Sequence, residues 1–319
     1  MSNGVDIMVA KTMGLLMAVV AVLLAGCNSD AIPQGDAVAD DMVALTIDVV
    51  ENGWQGQTVS VTRAGETIDG LKATTGDLPT GYGYGFGIFG VDLLGPTVGT
   101  QRQVTWNSTI GQWEAGEKIY WKRTSTSSTF QIFAYAPYKT VLYTTDSTTG
   151  TLTFSSVSVG SDIDLLYAAA TVDRTDGRAE LDFNHALAKL SFGTVTNNTG
   201  AEVTLTDIAI GGTFNTEGIL NLTTGAWAWE PAATTTTPIT RTPSSGLPIA
   251  DKGVVSIAQD AVLLIPNAPE TPATLGTIDV TVTLTFTPGG TFSFSTTLEQ
   301  GKDKTYNITV EKNFEVIIE

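Results

Sequence analysis

The segment from Ala179 to Phe192 constrains the fold more strongly than any other part of this 319-residue chain. Its larger residues fall at every second position: Leu181, Phe183, His185 and Leu187. A period of two is typical of a β-strand with one buried face. After His185 the opposite set of positions becomes apolar, which requires either a bulge or burial on both faces. A short helix over residues 186–190 is the alternative that the pattern leaves open.

Short alternating segments of the same kind recur along the chain, from residues 43–49 to residues 314–318. Pro288-Gly289-Gly290 joins two of them as a hairpin. About fourteen such segments, separated by polar turns, predict an all-β protein with two tandem β-sandwich domains of about seven strands each. The polar turn at Gly177 marks the boundary, so we expect domains at residues 43–177 and 178–319.

The N-terminal residues predict an exported lipoprotein. Lys11 precedes an apolar run over Met13–Leu24 that is too short to span a membrane. The run ends in Leu24-Ala25-Gly26-Cys27, which resembles a bacterial lipobox, where the thiol carries the lipid. We therefore expect a lipoprotein signal peptide over residues 1–26 and lipidation of Cys27, which makes the chain membrane-anchored.

Residues 27–42 begin with this cysteine and carry several acids together with Pro33 and Gly35. Such a segment buries little apolar surface, so we expect a flexible acidic tether. Cys27 is the only cysteine, which excludes an intramolecular disulfide. A start at Met8 instead of Met1 would bring Lys11 close to the terminus, and the sequence leaves both starts open.

Side chains that carry catalytic chemistry are scarce. One histidine and one cysteine provide neither a Cys–His nucleophile pair nor a zinc site built on those ligands. The net charge of −17 argues against a nucleic-acid partner. We therefore expect no enzyme, no cofactor and no metal site. The 33 acidic residues still leave open a glycosidase, which needs two carboxylates about 5–5.5 Å apart.

Trp227 and Trp229 are the candidate ligand-stacking residues. Their spacing places both indoles on the same face of a strand. An exposed pair would stack on sugar rings, whereas a buried pair would belong to a sandwich core, and the sequence does not separate these roles.

Several segments of the chain, in this order, resemble the fimbrillin family of type V pilus subunits. They are Leu24–Cys27, Thr62-Arg63-Ala64, Gly87-Ile88-Phe89, Phe130–Tyr138, Leu181–Leu190, Leu263–Pro266, and Gly301-Lys302 with Tyr306–Val310. Together they span almost all of the chain that follows the signal peptide. The resemblance implies that the two β-sandwich domains are transthyretin-like.

The resemblance also implies a mechanism of assembly. Family members reach the cell surface as outer-membrane lipoproteins, and a protease then cleaves after an arginine, here Arg63 before Ala64. Loss of the first strand opens an apolar groove, which an extended segment of another pilin subunit fills by donor-strand insertion. Phe314, Val316 and Ile318 alternate as a donor strand would, although the same pattern suits a last core strand.

The function implied is that of a structural and adhesive subunit of a cell-surface fimbrium. Its partners would be other pilin subunits, the outer membrane through the lipid anchor, and a host or glycan receptor. The alternative is a surface glycan-binding lipoprotein that does not polymerise, in which Arg63 is an ordinary arginine at a strand edge. The sequence does not separate a stalk role from a tip or anchor role.

Overall fold

The computed structural model describes residues 42–51, 72, 83–90, 101–116, 118–122, 127–138, 143–146, 150–154, 164–228, 234–243, 245–257, 261–268 and 275–319. Every regular element in these ranges is a β-strand, which confirms the predicted all-β class. The described residues accordingly include no apolar helix of membrane-spanning length.

Seven of the first eleven strands close into a barrel in the order β10-β11-β2-β5-β4-β3-β7. The eleven strands are β1 (Met42–Ala44), β2 (Thr46–Glu51), β3 (Phe86–Phe89), β4 (Arg102–Asn107), β5 (Gln112–Ala115), β6 (Tyr120–Lys122), β7 (Thr129–Ala136), β8 (Tyr143–Asp146), β9 (Thr151–Phe154), β10 (Leu166–Asp173) and β11 (Arg178–His185). Neighbours in the barrel are antiparallel except β11 and β2, which run parallel. This closed sheet differs from the predicted two-sheet sandwich, because β7 pairs with both β3 and β10 and so joins the two ends of the sheet.

The remaining strands form two larger sheets and contribute to two smaller ones. They are β12 (Ala188–Asn197), β13 (Val203–Gly211), β14 (Phe214–Asn215), β15 (Gly218–Asn221), β16 (Trp227–Ala228), β17 (Thr234–Thr235), β18 (Ile239–Thr240), β19 (Leu247–Ile249), β20 (Val254–Ser256), β21 (Val262–Leu264), β22 (Thr277–Thr287), β23 (Gly290–Glu299), β24 (Asp303–Val310) and β25 (Val316–Ile318). One large sheet has the order β20-β12-β24-β25, with β21 also paired to β12. The other has the order β18-β13-β22-β23, with β19 also paired to β13.

These two large sheets share one hydrophobic core. Fully buried side chains from both contribute to it: Leu190, Val195 and Ile308 from the first sheet, and Ile208, Val282 and Leu284 from the second. Each sheet therefore buries one face against the other, which is the sandwich arrangement that the alternation predicts for this part of the chain. The transthyretin-like character of the two halves stays a prediction.

The segment around His185 is where the chain passes from the barrel to the sandwich. Strand β11 belongs to the barrel and β12 to the sandwich, and Ala186 and Leu187 lie between them. From His185 to Leu190 every residue is buried, so the change of buried face is achieved by burial on both sides. The alternative of a helix over residues 186–190 is wrong, because strand pairing with β21 and β24 begins at Ala188 and Lys189.

A third cluster of apolar residues surrounds this passage. It includes Phe133, Leu152, Tyr167, Leu187, Trp227 and Leu263. Its four-stranded sheet, in the order β16-β15-β9-β8, combines strands from both sides of Gly177. The domain boundary at Gly177 stays a prediction. The chain leaves the barrel and enters the sandwich at Ala186 and Leu187.

Candidate functional site

Strand β2 is one of the strands of the barrel wall and has a neighbour on each side, β11 and β5. Residues Thr46–Glu51 form a parallel ladder of six pairs with Arg178–Phe183 of β11. On the other side the ladder with β5 is a single pair, Ile47 with Trp113, and both residues are buried. The alternation of residues 43–49 thus produces an interior strand that is held mainly from one side.

An ion pair on the outer face joins β2 to β11. Arg178 Nε donates a hydrogen bond to Asp48 Oδ2 at 2.5 Å, and Arg178 Nη2 lies 3.5 Å from Glu180 Oε1. The hydrogen bond and the negative charge of Asp48 raise the pKa of Arg178, and Glu180 adds to this effect. Because both side chains of the pair are about half exposed, it contributes little to stability. In the ladder Arg178 pairs with Thr46, so its side chain reaches the residue two positions further along β2.

Strand β25 is an edge strand, and among the described strands it pairs with β24 alone. The ladder joins Val316–Ile318 to Ile308–Val310, and backbone hydrogen bonds between Asn307 and Glu319, of 2.9 and 3.0 Å, extend it. The first and last residues of β25 are half-buried against the sandwich core, whereas Ile317 is 41% exposed. Strand β25 is therefore held by one ladder and by the contact of two half-buried side chains with the sandwich core.

Phe314 lies before β25, so the predicted alternation forms a strand only from Val316 onward. Its φ is 56°, in the left-handed region that aromatic residues rarely adopt, and it is 39% exposed. The ring lies over Gly289, where a Cβ would come within 2.5 Å of the ring. Residues of the connection 311–315 border a cavity of about 480 Å³. The connection into β25 is therefore held by few buried contacts.

Trp227 lies in the third cluster and not on the surface. It is 2% exposed, and its Nε1 donates a hydrogen bond of 2.8 Å to the backbone oxygen of Ala186. The indole packs over Gly218, where a Cβ would come within 2.8 Å of the ring. A ring buried in this way offers no face to a sugar, so the predicted stacking role of Trp227 does not fit the structure. Trp229 lies outside the described residues.

Four ionisable side chains are buried close to the passage between barrel and sandwich. His185 Nδ1 is hydrogen-bonded to Asp164 Oδ2, and Lys189 Nζ lies 3.5 Å from Asp303 Oδ2. Burial raises the pKa of Asp164, and the charges of His185 and Lys189 oppose this rise. The cluster connects β11, β12 and β24 to Asp164, which lies two residues before β10. Sequence reasoning missed Asp164, whose signal is an acid directly before the apolar run 165–168.

The remaining predicted site residues are Cys27, Arg63 and Ala64, and all three lie outside the described residues. Lipidation and cleavage therefore stay predictions. Strands β2 and β25 belong to different sheets and do not pair with each other. In the described part of the chain, no group of three or more His, Cys, Asp or Glu side chains is placed to hold a metal ion.

Comparison with solved structures finds several similar chains. The chain is similar to a candidate cell adhesion protein from Bacteroides uniformis ATCC 8492, with 19% identity and a TM-score of 0.49 over 89% of this chain and 98% of that one. A second candidate cell adhesion protein, from Bacteroides ovatus ATCC 8483, has 21% identity and a TM-score of 0.48 over 87% and 96% of the two chains. A fimbrial protein from the same strain has 12% identity and a TM-score of 0.37 over 83% and 48%.

No curated protein matches the chain. A sequence profile described as fimbrillin-like matches residues 72–319, from before the third strand to the last residue. This match covers well over half of the chain and includes both β11 and β25. On that ground the protein belongs to the fimbrillin-like family.

Proposed function

We propose that the protein is a structural and adhesive subunit of a cell-surface fimbrium, and that copies assemble by exchanging strands. Cleavage between Arg63 and Ala64 removes β1 and β2, and β25 of a second copy fills the gap beside β11. Membership of the fimbrillin-like family supports the fimbrial role. The interior position of β2 is the observation that carries the exchange step.

Loss of β2 leaves the barrel with two uncovered edges, one on β11 and one on β5. On β11 alone, six ladder positions lose their partners. The buried side chain of Ile47 also leaves a core that contains Phe86 and Phe183. Each buried aliphatic side chain contributes about 1.5–3 kcal/mol, and each buried backbone group without a partner costs about 1–3 kcal/mol. An opened barrel of this kind therefore favours the addition of a strand from outside.

Strand β25 is a suitable donor because its release disturbs its own chain little. It gives up three ladder pairs with β24, whereas the gap beside β11 offers six. Its alternating residues Val316 and Ile318 are half-buried where they stand, and in the exchange they face the core of the barrel. The exchange is downhill for this reason, since more apolar surface is covered after it than before.

Export and anchoring complete the proposal. Cys27 carries the lipid that holds the unprocessed subunit in the outer membrane at the cell surface, and residues 27–42 act as the tether. Cleavage after Arg63 frees the subunit from this anchor as it opens the barrel. The assembled fimbrium then binds a host or glycan receptor.

The test is the N-terminal sequence of the protein recovered from the surface of its native host. A terminus at Ala64 supports cleavage and polymerisation. An Arg63→Ala variant is expected to lose that terminus and the polymers together, whereas the control Arg123→Ala keeps both. If all the protein recovered carries a lipidated Cys27, removal of the first strand is contradicted. The non-polymerising glycan-binding lipoprotein would then be the better description.

A further inference from the structure

We propose that Arg178 sets the register of the incoming strand, and that Glu315 of a second copy takes the place of Asp48 beside it. This inference rests on the proposed function, because it concerns the gap that β2 leaves. It assigns a specific contact to each side of the exchange: a guanidinium on the receiving chain and a carboxylate on the donor chain.

The first support is the geometry around Arg178. Its guanidinium stands on the outer face of the barrel, bonded to Asp48 at 2.5 Å across the β2–β11 ladder. The neighbouring carboxylate of Glu180 belongs to β11 itself and stays when β2 leaves. Removal of β2 therefore takes away the closer of the two acidic partners, and the vacated place fits a carboxylate from the new strand.

The second support is a match between the departing and the donor segments. Residues 46–50 read Thr-Ile-Asp-Val-Val, and residues 313–317 read Asn-Phe-Glu-Val-Ile. Position by position both are polar, apolar, acidic, apolar and apolar. The match extends to exposure, since the last member is a solvent-facing aliphatic residue in each, with Val50 57% exposed and Ile317 41% exposed.

This match specifies one register among the few that are physically allowed. A slip by one residue would turn the apolar side chains to solvent, so only even slips retain the buried face. A slip by two residues places Asn313 or Ile317 beside Arg178 in place of a carboxylate. A slip by four places Glu319 there, but then only Ile317 and Ile318 of β25 fall within the span of β2, and Glu315 falls where Ala44 stands. The register with Glu315 places all three residues of β25 within the span of β2 and matches residues 313–317 to residues 46–50 in type.

The conformation of the donor segment agrees with this assignment. Phe314 is held at a φ of 56° in the free chain, and in the new register it becomes an extended residue in the place of Ile47. The move relieves an unfavourable backbone conformation and transfers a ring that is 39% exposed into the barrel core. Glu315 is exposed in the free chain, so it is available for a new partner.

The register is tested by disulfide trapping in fimbriae assembled on the native host. One chain carries Glu180→Cys together with Glu315→Cys. Since Glu180 pairs with Asp48, the two thiols then stand on adjacent residues of neighbouring strands, within the usual disulfide range. Non-reducing gels are expected to show a covalent ladder at least about fivefold stronger than the matched controls, Glu180→Cys with Ile317→Cys and Glu180→Cys with Glu319→Cys. A stronger ladder with position 317 or 319 overturns the assigned register.

The charge contact is tested in chains that also carry Asp48→Asn, so that β2 itself contributes no carboxylate. Arg178→Glu is expected to lower the yield of polymer about tenfold, and Glu315→Arg in the same chain is expected to restore at least half of it. Glu319→Arg in place of Glu315→Arg is the matched control and restores nothing. Rescue by both, or by neither, overturns the assignment.

The outcomes also separate this inference from the proposed function. If polymers form normally but the disulfide forms at another register, strand exchange is supported and only the role of Arg178 is contradicted. A native chain that yields no polymers after cleavage at Arg63 removes both. Secretion level and melting temperature of each variant show that a loss of polymer is not a loss of folding.

Discussion

Strands β2 and β25 have similar chemistry but occupy opposite kinds of position in the fold. Each alternates apolar residues with an acid, yet β2 lies inside a closed barrel and β25 lies at the edge of an open sheet. The first forms six ladder pairs with one neighbour and the second forms three. The comparison teaches that alternation decides which face of a strand is buried, whereas its neighbours decide how firmly the strand is held.

The largest expected difference is between deletions of the two segments. Deleting residues 43–51 should lower the free energy of unfolding by at least about 4 kcal/mol, since a buried ladder and its apolar face are lost. Deleting residues 314–319 should lower it by only about 1–2 kcal/mol, because that segment is half exposed. Urea unfolding followed by tryptophan fluorescence measures both. Equal losses would contradict the comparison.

A smaller difference in stability is expected between substitutions at Trp227, near the passage between barrel and sandwich, and at Phe314, before the edge strand β25. Trp227→Ala should destabilise the protein by about 3–5 kcal/mol, since it removes a buried indole and leaves a cavity. Trp227→Phe keeps most of the volume and loses the bond to Ala186, so about 1–2 kcal/mol is expected. Phe314→Ala, at the exposed connection to β25, should cost less than about 1 kcal/mol. If Phe314→Ala lowered the free energy of unfolding as much as Trp227→Ala, the segment before β25 would be held as firmly as the passage between barrel and sandwich.

The sequence predicts the strands better than their neighbours. The alternation of residues 43–49 and of residues 314–318 is visible without a structure, and strands form in both segments, although Phe314 lies outside β25. The ion pair between Asp48 and Arg178 spans 130 residues, and no local pattern reports a contact of that length. Barrel closure depends on such distant pairings, so the sequence alone favoured an open sandwich where a closed sheet stands.

The site residues show the same division. The lone histidine drew attention in the sequence, but its partner Asp164 did not, because the pairing depends on how the ends of β10 and β11 meet. Trp227 had two roles open to it, and the packing against Gly218 and Ala186 decides for the core. The period of a strand identifies residues that share a face, but the sequence does not say what covers that face.

A pH series contrasts the interior with the surface through two aspartates. Burial raises the pKa of Asp164, whereas hydrogen bonds from Thr175 lower the pKa of the exposed Asp173. The contribution of Asp164 to stability is therefore complete below about pH 4 and is lost as the pH rises through its folded-state pKa. That of Asp173 is present above about pH 4 and is lost as the pH falls through its folded-state pKa.

The measurement is the free energy of unfolding between pH 3 and pH 8 for the native chain and for two variants. Relative to Asp164→Asn, the native chain should lose stability with rising pH. Relative to Asp173→Asn, it should lose stability with falling pH. If the two differences in stability changed with pH in the same direction, burial would not be what sets the pKa of Asp164.

The smallest expected effects concern the outward-facing positions, where β2 and β25 should behave alike. Val50→Thr and Ile317→Thr replace exposed aliphatic residues, so each should change the free energy of unfolding by less than about 0.5 kcal/mol. The inward-facing counterparts should differ, with Ile47→Thr costing about 2 kcal/mol because a hydroxyl enters the barrel core, and Ile318→Thr costing less than about 1 kcal/mol. Chemical denaturation of the four variants gives two nearly silent substitutions and two unequal ones. If Val50→Thr proved as costly as Ile47→Thr, the outer face of β2 would be covered, and the place beside Arg178 would be closed to a second chain.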